Sequence, residues 1–237
     1  MEFWARHRDE FAVHGIKVMI SSVKTIQLCL DKIRFFEFAK EFGFNAIDST
    51  SNKSSLSSEG LFVVKERYGA GALKIGIGLN SKEAEEHSLK LLNPIFQPFI
   101  IGREISADIW IIPGAYESVV LRYRTLVVGG ESQVTQIFRN SAIEQSLLSL
   151  AKKLEIVGTA VIQAIIDELG IVHIIECNPR IGGASTASNA AGSQAFKKMI
   201  LHFVLGEFIG PVGKLERIQE LLQVRTAVDE YFYDFDI

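Results

Sequence analysis

The sequence predicts an α+β fold, on three observations. Two apolar, β-branched runs, Val157–Asp167 and Val172–Asn178, flank Glu168-Leu-Gly170 as the arms of a hairpin flank its turn. Two further runs of alternating polarity, Ile105–Ile112 and Tyr116–Arg124, flank Pro113-Gly114. An amphipathic helical run at Leu30–Gly43 precedes these strand groups, and another at Ser141–Leu154 stands between them. At 237 residues the chain has room for one large domain or two small lobes, with ample core. Hydrophobic residues make up 48% and charged residues 22%, a globular balance. The net charge is −3 and there is no basic block, which argues against a nucleic-acid or membrane partner. No apolar run reaches membrane-spanning length, and the opening Met1-Glu-Phe-Trp-Ala-Arg-His-Arg8 is too charged for a signal peptide. The two cysteines, Cys29 and Cys177, lack metal-type spacing and read as reduced thiols of a cytoplasmic protein.

The chemistry concentrates in Val172-His-Ile-Ile-Glu-Cys-Asn-Pro-Arg-Ile-Gly-Gly183. Residues two apart on a strand share a face, so Glu176 and Asn178 project together from the strand end. A carboxylate and an amide oxygen are hard ligands suited to Mg²⁺. Arg180 follows, and a guanidinium there can grip phosphate. Pro179 cannot donate to a ladder, so pairing should stop at that point. If Leu169-Gly170 is the hairpin loop, Gln163 falls opposite Glu176, and a one-residue slip would move it to the other face. The plainer alternative is an ordinary hairpin with solvated polar residues. Glu, Asn and Arg together, closing an otherwise apolar strand before Gly-Gly, weigh against it. Cys177 faces away from the ligands and reads as core.

Gly158-x4-Gln163 followed by Glu176-Cys-Asn-Pro-Arg180 resembles the metal-binding hairpin of ATP-grasp enzymes. The likeness is to the carbamoyl phosphate synthetase large subunit and its single-module relatives. Gly183-Ala-Ser-Thr-Ala-Ser-Asn-Ala-Ala-Gly192 is similar to the same subgroup, and the resemblance spans residues 25 to 210 or so. It implies two α+β lobes clasping a nucleotide: a small lobe at 28–99 and a large lobe at 100–237, preceded by the end of an N-terminal domain at 1–27.

The elements follow in order. Residues 2–14 read as a short helix ended by Gly15, and Ile16–Ile20 as a strand. A lone helix and strand need neighbours. The resemblance implies that they are the last pieces of a domain preceding the grasp module, in a trimmed, split or divergent chain. A separate N-terminal domain or a homodimer partner is therefore expected. Leu30–Gly43 is a helix opened by Asp31-Lys32. In the family a lysine at that place reaches nucleotide phosphates, whereas on its own it is a solvated first-turn residue. Asp48–Gly60 holds six serines and reads as a loop.

Leu61–Lys65 reads as a buried strand, Gly69-Ala-Gly-Ala72 as a small-residue loop and Leu73–Ile77 as the next strand. Such a loop can lay backbone N–H groups over phosphates, although hairpin glycines are common and this is not a Walker A loop. The resemblance makes it the glycine-rich lid, with Lys65, Gly69 and Gly71 at ATP. Ser81–Leu92 reads as a helix with Ser81 as N-cap. Pro94–Ile101 reads as a strand. In the family the corresponding segment pairs with the adenine edge, which falls here to Gln97, Phe99 and Ile100. Many relatives carry a carboxylate near Pro98, so the resemblance passes ribose contact to Glu104; an exposed strand carboxylate is the plainer alternative.

Arg122 and Arg124 leave the Tyr116 strand on one face, and Gly129-Gly-Glu131 follows. The resemblance places Arg122 and Glu131 at the acceptor's carboxylate or acyl phosphate and makes them catalytic together with Arg180, which grips phosphate; solvated strand ends are the plainer alternative for the first two. Ser141–Leu154 and Gln194–Leu205 read as helices, and Leu221–Ile237 as strand-like. His173 reads as core rather than catalytic, and no His-Glu-x-x-His or Gly-x-Ser-x-Gly occurs.

The implied activity is ATP-dependent ligation. A carboxylate takes the γ-phosphoryl group, and an amine or ammonia displaces phosphate. Gln163, Glu176 and Asn178 would hold Mg²⁺, with Mn²⁺ as an alternative, and Lys32, Lys65 and Arg180 would balance phosphate charge. The small carboxylate and the amine are the expected partners. The competing expectation is a phosphotransfer or non-catalytic ATP-binding module.

Overall fold

Two antiparallel sheets face each other across a cleft, and their strand order sets what lines it. The computed structural model describes residues 1–56, 60–69, 74–206 and 218–226. The smaller sheet comprises β1 (Phe62–Glu66), β2 (Gly76–Leu79) and β3 (Pro94–Pro98), in the order β2-β1-β3. The larger comprises β4 (Gly102–Ile112), β5 (Tyr116–Val128), β6 (Glu131–Phe138), β7 (Gly158–Asp167), β8 (Val172–Asn178) and β9 (Leu222–Val224). Its order is β8-β7-β4-β5-β6-β9.

The helices are α1 (Glu2–Arg6), α2 (Arg8–Val13), α3 (Val23–Leu30), α4 (Lys32–Glu41), α5 (Ser81–Ser88), α6 (Ser141–Lys153), α7 (Thr186–Ala190) and α8 (Ala195–Phe203). Alternation along the strands divides the larger sheet into two faces. Ile105, Ala107, Ile109, Leu121, Ile162, Ala164 and Cys177 point to one side, where they pack with Cys29, Phe35 and Ala39 of α3 and α4 and with Leu147, Leu150 and Ala151 of α6. On the other side α7 and α8 cover one end of the sheet: Ala187 packs with Val120 and Ile137, and Ala195 with Trp110 and Tyr116. The rest of that face looks onto the smaller sheet, whose own core of Phe62, Val64 and Phe96 is closed by Ala84 of α5. Helix α4 lies within the stretch assigned to the small lobe, yet it packs on the larger sheet.

Several local expectations are corrected. The 2–14 helix is broken at His7 into α1 and α2. Residues 16–20 form no strand, because no strand lies beside them; the chain is pinned instead where Ser21 Oγ accepts from the Val157 N–H at 2.9 Å. Helix α3, capped by Ser22, was not anticipated. Asn80, not Ser81, caps α5: its side chain accepts from the Lys82 and Glu83 N–H groups, and Glu83 accepts from the Asn80 N–H, a capping box. That helix stops at Ser88 rather than Leu92. The Glu66 carboxylate takes the Leu92 and Asn93 N–H groups at 2.8 and 2.9 Å and draws the chain into β3. Strand β2 starts at Gly76, three residues later than expected, β5 runs on to Val128, and β6 was not anticipated. Of the strand-like tail, Leu222–Val224 forms β9 and residues 227–237 lie outside the described residues.

Candidate functional site

Both sheets and the turns between them enclose a cleft of about 980 Å³. The larger sheet builds its floor by register. Glu176 on β8 pairs with Gln163 on β7, Gln163 with Ser106 on β4, and Ser106 with Arg122 on β5. One cross-strand row therefore carries four polar side chains out of an otherwise apolar sheet. Two residues along, Asn178 pairs with Val161 and Val161 with Asp108, on the same face. Glu104, also on the cleft face of β4, is ion-paired to Arg124.

The Gln163–Glu176 pairing was expected, but the turn that produces it differs. The loop has three residues, Glu168-Leu-Gly170, closed by the Asp167 N–H on the Ile171 C=O at 3.0 Å, with Gly170 at φ +80°. That loop alone would pair Gln163 with Ile175. A bulge intervenes, so that Ala164 pairs with Ile174 and Gln163 with Glu176. Ile174 stays in the core while Ile175 and Glu176 both reach the cleft.

At the Glu176 end of the row, the Asn178 amide donates to Glu176 Oε1 at 2.7 Å, and Lys32 Nζ lies 3.9 Å from Glu176 Oε2. Lys32 is buried and donates to the Gly69 C=O at 2.9 Å, tying the start of α4 to the loop after β1. Lys65, on the cleft face of β1, is 9% exposed. Burial, helped by the Lys32 charge and opposed by Glu176 and Glu104, pulls its ammonium down to about 8. Gln163, Glu176 and Asn178 supply one carboxylate and two amide oxygens. No cluster of three His, Cys, Asp or Glu occurs among the described residues. The set suits a hard divalent cation that takes its remaining oxygens from a phosphate ligand.

The other expected residues are placed as follows. Gly69 lines the cleft, and Gly71 lies outside the described residues. Gln97 lines the cleft, but its side-chain amide is buried and donates to Ser49 Oγ at 2.7 Å. Phe99 and Ile100 line it too, and the Phe99 N–H is committed to the Leu61 C=O. Arg122 is buried in a bidentate pair with Asp108, both bonds 3.0 Å. Glu131 is exposed and pairs with Arg225 at 3.1 Å. Arg180 donates to the Ile181 C=O at 3.0 Å and meets no carboxylate among the described residues. His173 is half-buried and bonded to Asp167 Oδ2 at 2.8 Å, and so takes no place in the cleft. Cys177 is core, where the Cys29 thiol and burial push its own thiol up. Asp108 and Arg225 escaped sequence reasoning. Asp108 left one trace, a carboxylate amid Ile105-Ser-Ala-Asp-Ile-Trp-Ile111 that burial would oblige to find a partner.

No helix among the described residues is long and apolar enough to cross a membrane. Residues 29–184, about two thirds of the chain, match the family model described as ATP-grasp domain. Three solved structures are similar. The biotin carboxylase domain dimer of Hydrogenobacter thermophilus 2-oxoglutarate carboxylase, in complex with MgADP, ADP and bicarbonate, has a TM-score of 0.75 at 18% identity, over 94% of this chain and 55% of that one. Campylobacter jejuni biotin carboxylase, in a β-γ-ATP complex, gives 0.73 at 15% identity, over 94% and 57%. The L-amino acid ligase of Bacillus licheniformis gives 0.65 at 20% identity, over 89% and 55%. The chain thus spans little more than half the length of these three. It belongs to the ATP-grasp family and has the ATP-grasp fold.

Proposed function

We propose, from this family membership and the cleft's geometry, that the chain is an ATP- and Mg²⁺-dependent ligase. It would activate a small carboxylate as an acyl phosphate for attack by an amine or ammonia, in the manner of carbamoyl phosphate synthetase. The observation that carries this is the row Glu176–Gln163–Ser106–Arg122. It puts Glu176 and Gln163, whose oxygens suit a cation, and the Arg122 guanidinium, which suits an anion, on one sheet face. With strands about 4.8 Å apart, roughly 10 Å of sheet separates Gln163 from Arg122, room for a phosphoryl group and its acceptor.

The adenine edge would lie against Gln97–Ile100. Because the Phe99 N–H is already taken, donation there falls to Ile100. Glu104 would meet the ribose. Lys32, Lys65 and the Gly69–Gly71 loop would hold the phosphates. Gln163, Glu176 and Asn178 would hold Mg²⁺, or Mn²⁺, which would supply charge neutralisation at the phosphates. Arg122, Arg180 and Glu131 would orient acceptor and amine. None of these side chains acts as a nucleophile, since phosphoryl transfer requires alignment and charge balance rather than covalent help. The division into lobes at 28–99 and 100–237, a cytoplasmic location and assembly with a second copy belong to the same proposal.

Isothermal titration with Mg-ATP tests the reading, with Glu176→Ala and Lys65→Ala as controls. Magnesium-dependent binding, weakened in both variants, is the expected result. ADP release in a screen of small carboxylates should then fall at least ~10²-fold in Glu176→Ala, the scale of one lost electrostatic contact. Full turnover in that variant would remove the assignment. Nucleotide binding without turnover on any carboxylate would favour a phosphotransfer or non-catalytic module.

A further inference from the structure

Asp108 is 1% exposed and sits mid-strand in β4, on the cleft face. Its carboxylate has room for about four hydrogen bonds, and four are made. Arg122 Nε donates to Oδ2 and Nη2 to Oδ1. Ser185 Oγ donates to Oδ1 at 2.9 Å, and Ser188 Oγ donates to Oδ2. All the donors are buried. The two serines come from the segment that leaves β8, and Ser185 Oγ also accepts from the Gly182 N–H at 3.1 Å. Gly182 is drawn so close that a Cβ there would stand 3.0 Å from Val161 Cγ2 and 3.2 Å from Arg122 Nη2.

One carboxylate therefore joins three segments: β4, β5 and the Gly182–Ser188 turn. It also consumes only part of Arg122. A guanidinium has five N–H donors. Among the described residues Asp108 alone accepts from it, through two of them. Arg122 is 3% exposed and lines the cleft; its uncommitted Nη1 is not sealed in the protein, so the remaining donors are preset in direction and are reached from the cavity. A fixed fork of this kind suits a planar or tetrahedral oxyanion.

We infer that Asp108 is the positioning residue of a small-oxyanion subsite, with Arg122 as its donor and the Gly182–Ser188 turn as its wall. The inference rests on the nucleotide reading only for what the oxyanion is during turnover: the acceptor's carboxylate or the released phosphate. Asp108 touches neither; it acts through Arg122 and the turn.

The probes are inorganic phosphate and acetate, each titrated calorimetrically into the full chain, with and without saturating Mg-ADP. Asp108→Asn with Arg122→Gln replaces the ion pair by a neutral pair and so leaves no uncompensated buried charge. It should weaken both anions by at least about tenfold, while the Mg-ADP affinity changes less than about threefold. Ser188→Ala, which removes one of the four bonds, should weaken anion binding by a few-fold. Preference for acetate would identify the acceptor and preference for phosphate the product; either supports the subsite. Unchanged anion affinity in a folded double variant would overturn the inference. So would equal losses of anion and nucleotide affinity, the mark of a merely structural role, or a wild-type chain that binds neither anion at about 20 mM. Anion binding that needs Arg122 in a chain that ignores Mg-ADP would sink the ligase proposal and leave the subsite standing.

Discussion

Two arginine–carboxylate pairs of the same chemistry serve the two sheets: one joins the end of β1 to the start of α4, the other joins β4 to β5. Arg67 grips Asp31 through Nε and Nη2 at 2.8 and 2.7 Å, where β1 gives way to the glycine-containing loop. Arg122 grips Asp108 through the same two nitrogens, both at 3.0 Å, in the cleft floor. Their surroundings differ. The Arg67 side chain is 30% exposed, whereas those of Arg122 and Asp108 are 3% and 2% exposed. Asp31 shares its carboxylate with the Ile33 and Arg34 N–H groups of α4. Burial pushes its carboxyl up, but the Arg67 and backbone bonds outweigh that and hold it below the usual range. Water reaches the Arg67 side of the first pair, whereas both members of the second are almost closed off from it. Geometry equates the two pairs and solvent access separates them. The first pair suits a part that opens, the second a part that must not move.

The largest expected effect tests that separation directly. Asp108→Ala leaves Arg122 buried and uncompensated, and removes the acceptor of Ser185 and Ser188. Breaking a buried pair from one side costs about 3–5 kcal/mol. Urea unfolding of this variant should therefore show a midpoint far below that of the wild type. A loss under about 1 kcal/mol would mean that water enters the floor and that the contrast with Asp31–Arg67 fails.

Lys65 sharpens the comparison from a third side, as a buried cation with no carboxylate in contact among the described residues. Its folded-state value of about 8 lies below the ordinary 10.5. The unfolded chain therefore holds that proton more tightly. The cost of burying the charge is complete below pH 8 and is relieved as the pH rises from 8 towards 10.5. That difference is worth on the order of 3 kcal/mol. Lys65→Met should accordingly be more stable than the wild type at pH 7, with the gap closing by pH 10, as followed by melting temperature. The same titration predicts that wild-type Mg-ATP affinity falls as pH rises through 8, because the neutral amine no longer balances phosphate. An affinity flat from pH 7 to 9 would place Lys65 outside the phosphate site.

What the sequence made legible divides along the same line. The row holding Glu176 and Gln163 follows from local alternation plus one hairpin, so residues thirteen apart could be paired on paper. Even there the loop is one residue longer than Leu169-Gly170, and the bulge at Ile175 restores the register that the shorter loop would produce. A bulge has no firm signature in Val172-His-Ile-Ile-Glu176. The capping side chain of Asn80 was legible in kind but assigned one residue late, because Ser81 is as good a cap on composition. The Asp108 network was not legible at all. Its partners lie 14, 77 and 80 residues away, and only the packed sheet brings them together. Burial of Asp108 could be suspected from its apolar neighbours; the identity of its partners could not.

The smallest effect completes the contrast. Arg67→Ala removes the partly exposed guanidinium yet leaves the buried Asp31 carboxylate accepting from the Ile33 and Arg34 N–H groups of α4. Partly exposed pairs contribute about 1 kcal/mol or less, so the unfolding midpoint should scarcely move. The change should appear instead in the loop that Arg67 precedes. Lys32 holds the Gly69 C=O from the same helix start, and the Lys32 N–H donates to the Arg67 C=O. With the guanidinium gone, one of the loop's tethers is lost while these two remain. Amide hydrogen exchange in the segment after β1 should quicken by a few-fold, with the β4–β5 amides unchanged. Faster exchange spreading into β4 and β5 would show that the pair supports the whole cleft. In that case the distinction between a yielding pair and a fixed pair would have to be abandoned.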